Sequence, residues 1–396
     1  MAETAEVGPF HLLLLLLLHP PLPQKTAPGP VLRFGSMLCR RPKTARRALG
    51  LTLVTLAAAC SADATPVVPL DAGSDAQPPV DAGIDAFSDG GAVTPCPTTG
   101  KGAIVAPDVT CIVATPAQTG AGASGENAGT SSYALAPNAN RKDQLVVFLN
   151  GSGGHPQGTI ADPTQSFYTA ATALGDSVIG LSYASARAIG VICATDGCFG
   201  PTRETVVRGV YQTGASAQLQ SIQVDEGIVP RLALLLRWLA ANDPAHGWSA
   251  FLQPGSEGKP ADQQLVWSKV TAAGHSQGGG HAAMMGKLFP LARVIQLSST
   301  CDQVGGVPAS WTRGASGTWL SVPADFFGLA APTTFTGNTP SSGDLLCPYH
   351  AAVWQNLGMV PARSNDAAAT CAIQGDTHSA SIQCKDNFAA WQAMLN

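Results

Sequence analysis

The sequence predicts one large α/β domain, with a mostly parallel central sheet covered by helices on both faces. Short, nearly all-apolar runs recur at 144–149, 177–183 and 292–297, as expected of strands that are buried on both faces of a sheet. Between them, 226–241 has the broad apolar face of a helix. Strands that alternate with helices favour a parallel sheet. The Gly- and Ser-rich segment 184–225 is interpreted as an insertion that shapes the entrance of a site.

The composition supports one folded domain preceded by non-globular segments. The chain has 396 residues, of which 45% are hydrophobic and only 12% charged, and it contains 43 glycines. A single core rarely grows beyond roughly 300 residues, so we assign residues 101–396 to the folded domain. Residues 61–396 keep 15 of the 22 basic and 24 of the 26 acidic residues, a formal charge of −9. This acidic balance argues against binding to nucleic acids.

The first 60 residues are typical of a targeting sequence. We interpret residues 1–36 as an over-extended start, because Met37 would begin a signal of conventional length. A membrane element at 12–18 is the alternative, but seven leucines are too few to span a membrane. Residues 37–60 contain a basic stretch and a short apolar run, and they end in a segment that resembles the lipobox of bacterial lipoproteins. That resemblance implies acylation of Cys60 and a membrane tether. Ala57 stands where leucine is usual, so cleavage by an ordinary signal peptidase is the alternative.

Residues 61–100 are predicted to be a disordered tether rich in Asp, Pro, Ala and Gly. The segment 61–95 carries six aspartates and no lysine or arginine, and like charges extend such a chain. The stretch 70–76 recurs ten residues later as 80–86. A calcium-binding repeat is the alternative interpretation, but two copies do not supply a full ligand set.

Eight cysteines follow Cys60, an even number that favours disulfides in an exported chain. The simplest pairing joins neighbours in sequence and leaves one longer pair: Cys96–Cys111, Cys193–Cys198, Cys371–Cys384 and Cys301–Cys347. Metal ligation or redox chemistry is the alternative for Cys193 and Cys198. Their spacing is not C-x-x-C and no cluster of His or Cys lies nearby in sequence, so a disulfide that closes a loop is preferred.

The most informative stretch is Gly274-His275-Ser276-Gln277-Gly278. It follows a predicted strand at 265–273 and precedes a run of small, helix-tolerant residues at 279–288. Glycines are needed on both sides of the serine because a Cβ would collide with the tightly folded backbone. This strand–turn–helix context predicts a nucleophile elbow and an α/β-hydrolase fold, with Ser276 as the nucleophile.

A serine hydroxyl attacks a carbonyl only when a histidine takes its proton and a carboxylate orients that histidine. In this fold the order along the chain is serine, acid, histidine. His378, in a polar loop before a C-terminal helix, is the predicted base. His281 is too close to Ser276 in sequence to turn back onto its hydroxyl, and His350 lies in a stretch that is predicted to be helical. Both are therefore assigned structural roles.

The acid is predicted from its place in the chain. Asp344 is the first choice, because it lies in the loop beyond 332–336, a predicted penultimate strand. Asp302 is the alternative, because some hydrolases place the acid one strand earlier. Asp376 lies too near the histidine in sequence. For each of them, a solvated loop carboxylate is the non-catalytic interpretation.

The oxyanion of an acyl transfer needs two N–H donors. One is expected at Gln277, directly after the nucleophile. The other is expected at Ser152, in the loop 150–154 that follows the strand at 144–149. A flexible turn is the alternative for this Gly-rich loop. A P-loop is excluded because no Lys-Ser/Thr follows the glycines.

Three segments carry a family resemblance: 148–154, the Cys193/Cys198 loop with Arg203 and Glu204, and 274–282. Together they resemble exported α/β-hydrolases that are distantly similar to serine esterases and polyhydroxyalkanoate-depolymerase-like enzymes. The resemblance covers roughly residues 105–396 and implies Ser276, Asp344 and His378 as the catalytic residues.

This resemblance implies that the protein hydrolyses small-molecule or polymeric esters and needs no metal or organic cofactor. It does not identify a substrate. A peptidase or acyltransferase could use the same residues. A surface binding protein on an inactive hydrolase scaffold is the alternative from another functional class.

Overall fold

The structure is a computed structural model that describes residues 93–124, 128–313, 319–321, 326–330, 347, 353–354, 356 and 377–396, and the backbone of 333–336 and 339–342. The chain divides into two units, 1–77 and 78–396, and all described residues belong to the second. The predicted signal, Cys60 and most of the predicted tether lie outside the described residues. In the part that is described, no helix has the length and apolarity needed to cross a membrane.

The strands are, in chain order, β1 (Thr94–Pro95), β2 (Val109–Ala114), β3 (Ser132–Pro137), β4 (Leu145–Leu149), β5 (Ser177–Leu181), β6 (Val270–His275), β7 (Arg293–Leu297), β8 (Gln303–Val304), β9 (Val307–Pro308), β10 (Phe326–Leu329), β11 (Thr333–Thr336) and β12 (Thr339–Ser342). The core of the fold is an eight-stranded sheet in the order β1-β2-β3-β5-β4-β6-β7-β10. The contacts between β5, β4, β6, β7 and β10 are all parallel, whereas β1, β2 and β3 pair antiparallel.

Helices cover both faces of this sheet, which confirms the predicted fold class. The helices are α1 (Pro116–Thr119), α2 (Phe167–Ala173), α3 (Ile189–Ile192), α4 (Asp196–Arg208), α5 (Ile228–Asn242), α6 (Gln277–Leu288), α7 (Ala380–Gln383) and α8 (Phe388–Leu395). Successive side chains of a strand face opposite sides, so Val147 joins the core formed with α4, α5 and α6, and Phe148 joins the core formed with α2 and α8.

The strands predicted at 144–149, 177–183 and 292–297 and the helix predicted at 226–241 are confirmed as β4, β5, β7 and α5. The strand predicted at 265–273 was wrong at its start. Residues Trp267–Lys269 form a 3₁₀ turn, and β6 begins only at Val270.

The side chain of Trp267 explains this local difference. Its ring stacks on that of Phe289 with 4.0 Å between centroids. Its indole N–H donates to the carbonyl of Asp262 at 2.8 Å. These contacts hold the indole in the helix-covered core, and the apolar run that predicts a strand begins with a turn.

The assignment of 332–336 as the penultimate strand of the sheet was also wrong. Thr333–Thr336 is extended, but it pairs antiparallel with Thr339–Ser342 in a separate two-stranded sheet. The main sheet instead continues with Phe326–Leu329, which pairs with β7. A four-residue extended segment cannot be assigned to one sheet or another from its own sequence.

Three of the predicted disulfides are confirmed: Cys96–Cys111, Cys193–Cys198 and Cys301–Cys347. The metal alternative for the second pair is therefore dropped. Cys384 is disulfide-bonded as well. Its predicted partner, Cys371, lies outside the described residues.

Candidate active site

Ser276 lies on a sharp turn between β6 and α6. Its backbone has φ 54° and ψ −123°, a conformation that costs a non-glycine residue about 1–3 kcal/mol. A Cβ on Gly274 would lie 2.3 Å from the carbonyl carbon of Gly278, and one on Gly278 would lie 2.1 Å from the carbonyl oxygen of Leu149. Both glycines are therefore required by backbone contacts. The turn has the geometry that the G-x-S-x-G pattern predicts.

The carboxyl ends of the parallel strands bring the predicted site residues to one edge of the sheet. Leu149 of β4 is in register with Gly274 of β6, and His275 is in register with Leu297 of β7. The segments that follow these three strands are therefore neighbours. Ligands of open α/β sheets bind at this edge.

The loop after β4 lies directly against the elbow. A Cβ on Gly151 would lie 3.1 Å from Cβ of Ser276. The side-chain hydroxyl of Ser152 donates to Oε1 of Gln277 at 2.7 Å. The structure thus brings together Ser152 and Gln277, the two residues predicted to bind the oxyanion.

The buried side chain of Asn150 fixes the shape of this loop. Its Nδ2 donates to the carbonyl of Gly154 at 2.7 Å and to the hydroxyl of Ser185 at 3.0 Å. The hydroxyl of Tyr183 donates to the carbonyl of Asn150 at 2.6 Å. Two segments that follow neighbouring strands, β4 and β5, are held together by these bonds.

Two further glycines let other segments approach the first turn of α6. A Cβ on Gly279 would lie 2.5 Å from Cβ of Ser299, and one on Gly280 would lie 2.3 Å from Cζ of Arg203. The hydroxyl of Ser299 donates to the carbonyl of Ser276 at 2.6 Å. The absence of side chains at Gly279 and Gly280 therefore allows two polar groups to reach the helix backbone behind the nucleophile.

Arg203 forms a buried ion pair beneath the elbow. Its guanidinium donates to both carboxylate oxygens of Asp302, each at 2.6 Å, and to the carbonyl of Gln277 at 3.0 Å. The indole N–H of Trp311 donates to the same carboxylate at 2.8 Å. Both charged side chains are at most 3% exposed. Asp302, the alternative acid, thus neutralises an arginine that is bonded to the elbow helix.

His281 is wholly buried one turn along α6, consistent with the structural role assigned to it. Its ring lies edge-on to that of Tyr183, with 5.5 Å between centroids. Among the described residues, neither ring nitrogen has a hydrogen-bond partner. Burial, with a smaller contribution from the charge of Arg203, holds the pKa of His281 well below its usual value, so the ring is neutral.

His378, the predicted base, lies next to the residue that precedes the nucleophile. Nε2 of His275 donates to the carbonyl of His378 at 3.0 Å, and the two ring centroids are 4.9 Å apart. The hydroxyls of Ser298 and Ser381 are 2.8 Å apart. These contacts attach the C-terminal segment to the carboxyl ends of β6 and β7.

The predicted acid, Asp344, lies outside the described residues, as do Asp376 and His350. Within the described residues, no group of three His, Cys, Asp or Glu side chains is arranged to hold a metal ion.

Sequence reasoning missed the position of His275 beside the base, and it missed the pairing of Arg203 with Asp302. Arg203 was noted only as part of a resemblance. Gly280, which the G-x-S-x-G pattern does not require, indicates only that another group approaches α6 closely at this position, and that group is Arg203.

No protein-family model matches this chain, and no curated protein matches its sequence. Among solved structures, it is similar to a C6-C4 SN3 inhibited esterase B from Lactobacillus rhamnosis, with 14% identity over 49% of this chain and 50% of that chain and a TM-score of 0.26. It is also similar to an esterase from the bacterial hormone-sensitive lipase family, with 19% identity, coverages of 50% and 46%, and a TM-score of 0.24.

A third similar structure is an acetyl xylan esterase from Aspergillus awamori, with 16% identity, coverages of 58% and 74%, and a TM-score of 0.29. The chain spans half or less of the length of the first two structures. Likenesses with such low TM-scores carry no argument about activity. The assignment of the fold rests on the sheet order and the elbow of this chain.

Proposed function

We propose that this chain is an exported serine hydrolase that cleaves carboxylic esters through an acyl-enzyme. The observation that carries the proposal is the left-handed turn at Ser276, held between β6 and α6 and bordered by the loop 150–154. Strained backbone of this kind is retained at functional sites. Here it places a partly exposed hydroxyl at the start of a helix.

In the proposed reaction, Oγ of Ser276 attacks the ester carbonyl carbon while His378 accepts the hydroxyl proton. Collapse of the tetrahedral intermediate breaks the bond to the alcohol oxygen, and His378 gives its proton to that oxygen. Water then attacks the acyl-enzyme in the same way, which releases the acid and restores the serine.

The oxyanion is assigned to the backbone N–H groups of Gln277 and Ser152. Gln277 is the first residue of α6, so its N–H has no partner within the helix. In the neighbouring loop, the N–H of Gly153 donates to the carbonyl of Ser185 and that of Gly154 to the carbonyl of Gly151. Because the N–H groups of Gly153 and Gly154 already have acceptors within the protein, the N–H of Ser152 is supported as the second donor.

Asp344 is the acid that we propose for His378. The contacts of Asp302 favour this choice, because its carboxylate accepts three hydrogen bonds from Arg203 and Trp311. An aspartate that neutralises a buried arginine is poorly suited to orient a histidine as well.

Covalent labelling with a fluorophosphonate tests the nucleophile. We expect the parent protein to be labelled and Ser276→Ala to be unlabelled. Ser268→Ala, which changes an exposed serine outside the site, is the matched control and should be labelled fully. Equal labelling of Ser276→Ala and the parent, or no labelling of the parent, would contradict the proposal and favour a non-catalytic binding protein.

Asparagine substitutions test the acid. Asp344→Asn should lower kcat by about 10³–10⁴-fold, because the histidine loses the carboxylate that orients it. Asp302→Asn should mainly reduce the free energy of unfolding. The assignment fails if folded Asp302→Asn protein is inactive while Asp344→Asn turns over normally. Peptide and acyl-acceptor substrates, assayed in parallel, distinguish an esterase from a peptidase or an acyltransferase.

Export and acylation of Cys60 are proposed from the N-terminal sequence, and disulfides such as Cys193–Cys198 are in keeping with an oxidising compartment. The full chain should partition into detergent, and Cys60→Ser should not. Detergent partitioning that survives Cys60→Ser would exclude acylation at this residue.

A further inference from the structure

A cavity of about 190 Å³ lies beside Gln277, within the insertion that follows β5. Much of its wall is apolar, contributed by side chains of α3, α4 and the chain beyond them. These residues are Ile189, Ile192, Val206, Leu219 and Ile222. The mechanism proposed above uses none of them.

The side chain of Gln277 connects this cavity to the proposed catalytic residues. Its Oε1 accepts hydrogen bonds from the N–H of Ile189 at 3.2 Å and from the hydroxyl of Ser152 at 2.7 Å. Gln277 therefore forms part of the cavity wall and also contacts the loop that carries the second proposed oxyanion donor. A group bound in the cavity would therefore contact the residue whose N–H is the first proposed oxyanion donor.

The strand order places the cavity and His378 on opposite sides of the nucleophile. The central order is β5-β4-β6-β7, and Ser276 follows β6. The cavity belongs to the segment after β5. The C-terminal segment is attached to His275 at the end of β6 and to Ser298 after β7.

This arrangement distinguishes the two halves of an ester. His378 gives its proton to the leaving alcohol oxygen, so the alcohol half must lie on the side of His378. The acyl half, on the other side of the carbonyl carbon, then points toward the cavity.

The charged groups of the cavity favour an uncharged occupant. Arg187 and Glu226 both line it, with opposite charges. Arg187 donates to the side chain of Gln218, and Glu226 accepts from the hydroxyl of Ser124 and from the N–H of Gln223. Because both groups already have partners, neither requires a charge on the ligand.

We infer that this cavity binds the acyl group of the substrate and limits it to uncharged chains of up to about eight carbon atoms; the inference rests on the proposed function. The size follows from volume, since an engineered apolar cavity of about 150 Å³ holds one benzene molecule. The substrate class is therefore an ester of a short or medium-length neutral acid.

Two series of esters test the inference on the full chain. One lengthens the acyl group from acetate to dodecanoate on a constant p-nitrophenyl leaving group, and the other lengthens the alcohol of an acetate ester. With the parent protein, kcat/KM in the acyl series should fall beyond octanoate.

Changes at Leu219, a partly buried residue of the cavity wall, should shift that limit in both directions. Leu219→Trp should lower kcat/KM for hexanoate relative to acetate by about tenfold or more. Leu219→Ala should extend the range to longer chains. Val224→Ala, an exposed change in the same insertion, is the matched control and should leave both series as in the parent.

Fluorophosphonate labelling of Ser276 separates the two proposals. If Ser276 is labelled and the Leu219 variants shift the alcohol series, or shift neither series, the cavity inference is overturned and the proposed function stands. If Ser276 is not labelled, both the proposed function and the cavity inference are overturned. A shift confined to the acyl series supports the inference.

Discussion

Two segments border Ser276, the insertion after β5 (184–225) and the C-terminal segment (377–396). They are held in place by different kinds of contact. On the insertion side, Arg203 of α4 donates to Asp302 at 2.6 Å and to the carbonyl of Gln277 at 3.0 Å. On the C-terminal side, several bonds near His378 join neutral groups, such as that from the indole of Trp391 to the carbonyl of Ser381 at 2.9 Å. The guanidinium of Arg293 donates to the carbonyl of Met394 at 2.8 Å, but Arg293 starts β7, at the edge of the sheet opposite Ser276.

This difference indicates which part of the site is fixed most firmly. Hydrogen bonds to ionised groups are about twice as strong as neutral ones, and a buried charge that loses its partner is costly. We therefore expect the nucleophile and the oxyanion donors to keep their geometry under conditions that displace the segment carrying His378.

The largest effect is expected from Arg203→Met. Removal of one partner leaves the carboxylate of Asp302 buried without its counter-charge, which should lower the free energy of unfolding by about 3–5 kcal/mol. Urea denaturation measures this. Lys269→Met is the matched control, because Lys269 pairs with the exposed Asp143 and should contribute less than about 1 kcal/mol. Similar losses for the two variants would contradict the comparison.

A smaller effect is expected from Trp391→Phe on the C-terminal side. The substitution keeps an aromatic ring near Phe167 but removes the bond to Ser381, at a cost of about 1–3 kcal/mol. Because α8 follows the segment that carries His378, kcat of the folded variant should also fall.

Trp267→Phe provides the control for this experiment. Trp267 also donates its indole N–H to a backbone carbonyl, that of Asp262, but it lies before β6 rather than beside His378. It should lose a similar amount of stability with no change in kcat. An equal fall of kcat in both variants would show that the loss does not come from His378.

A pH-dependent effect is expected from His281→Phe. The pKa of His281 in the folded chain is lowered by burial and by Arg203, so below about pH 6.5 the unfolded chain binds more protons at this residue than the folded one does. The parent should therefore lose stability as the pH falls below that value. His281→Phe, which keeps a ring against Tyr183, should lose less. Identical pH profiles of thermal unfolding would contradict the neutral, buried state of His281.

The smallest effect on the site is expected from Asp176→Asn. Asp176 precedes β5, so it lies at the edge of the sheet opposite Ser276. Burial raises its pKa from the ordinary value of 3.8 to about 6. Because the folded chain then binds the proton more tightly than the unfolded one, ionisation reduces stability as the pH rises through this interval.

Asp176→Asn should accordingly be more stable than the parent above about pH 6, and the difference should vanish below about pH 4. Thermal unfolding across this pH range measures it, with ester turnover at neutral pH as the control. A variant that is less stable at neutral pH would contradict the raised pKa, and altered turnover would contradict the distance from the site.

The elbow could be predicted from sequence because the serine and the two glycines that mark its turn lie within five consecutive residues. Backbone atoms of the turn itself leave no space for a Cβ on Gly274, and backbone atoms of the adjoining strand β4 leave none for a Cβ on Gly278. The parallel strands could be predicted for a similar reason, since burial on both faces leaves a continuous apolar run.

The pairing of Arg203 with Asp302 could not be predicted, because the two residues lie 99 positions apart in the chain. Nothing in the sequence distinguishes a buried aspartate from a solvated one before the fold is known. The assignment of 332–336 failed for a different reason. Its partner strand, Thr339–Ser342, follows only a few residues later in the chain, and the sequence analysis considered the first strand without this neighbouring segment.

The three glycines at 278–280 limit how the protein could be stabilised by mutation. Replacement of a helical glycine by alanine is commonly favourable by about 0.5–1 kcal/mol, and the first turn of α6 offers three such positions in a row. At each of them a methyl group would meet a different neighbour, namely Leu149, Ser299 or Arg203, at 2.1 to 2.5 Å. Higher thermal stability must therefore be sought in other helices, and the glycine-rich start of α6 should remain unchanged in any engineered variant that is to stay active.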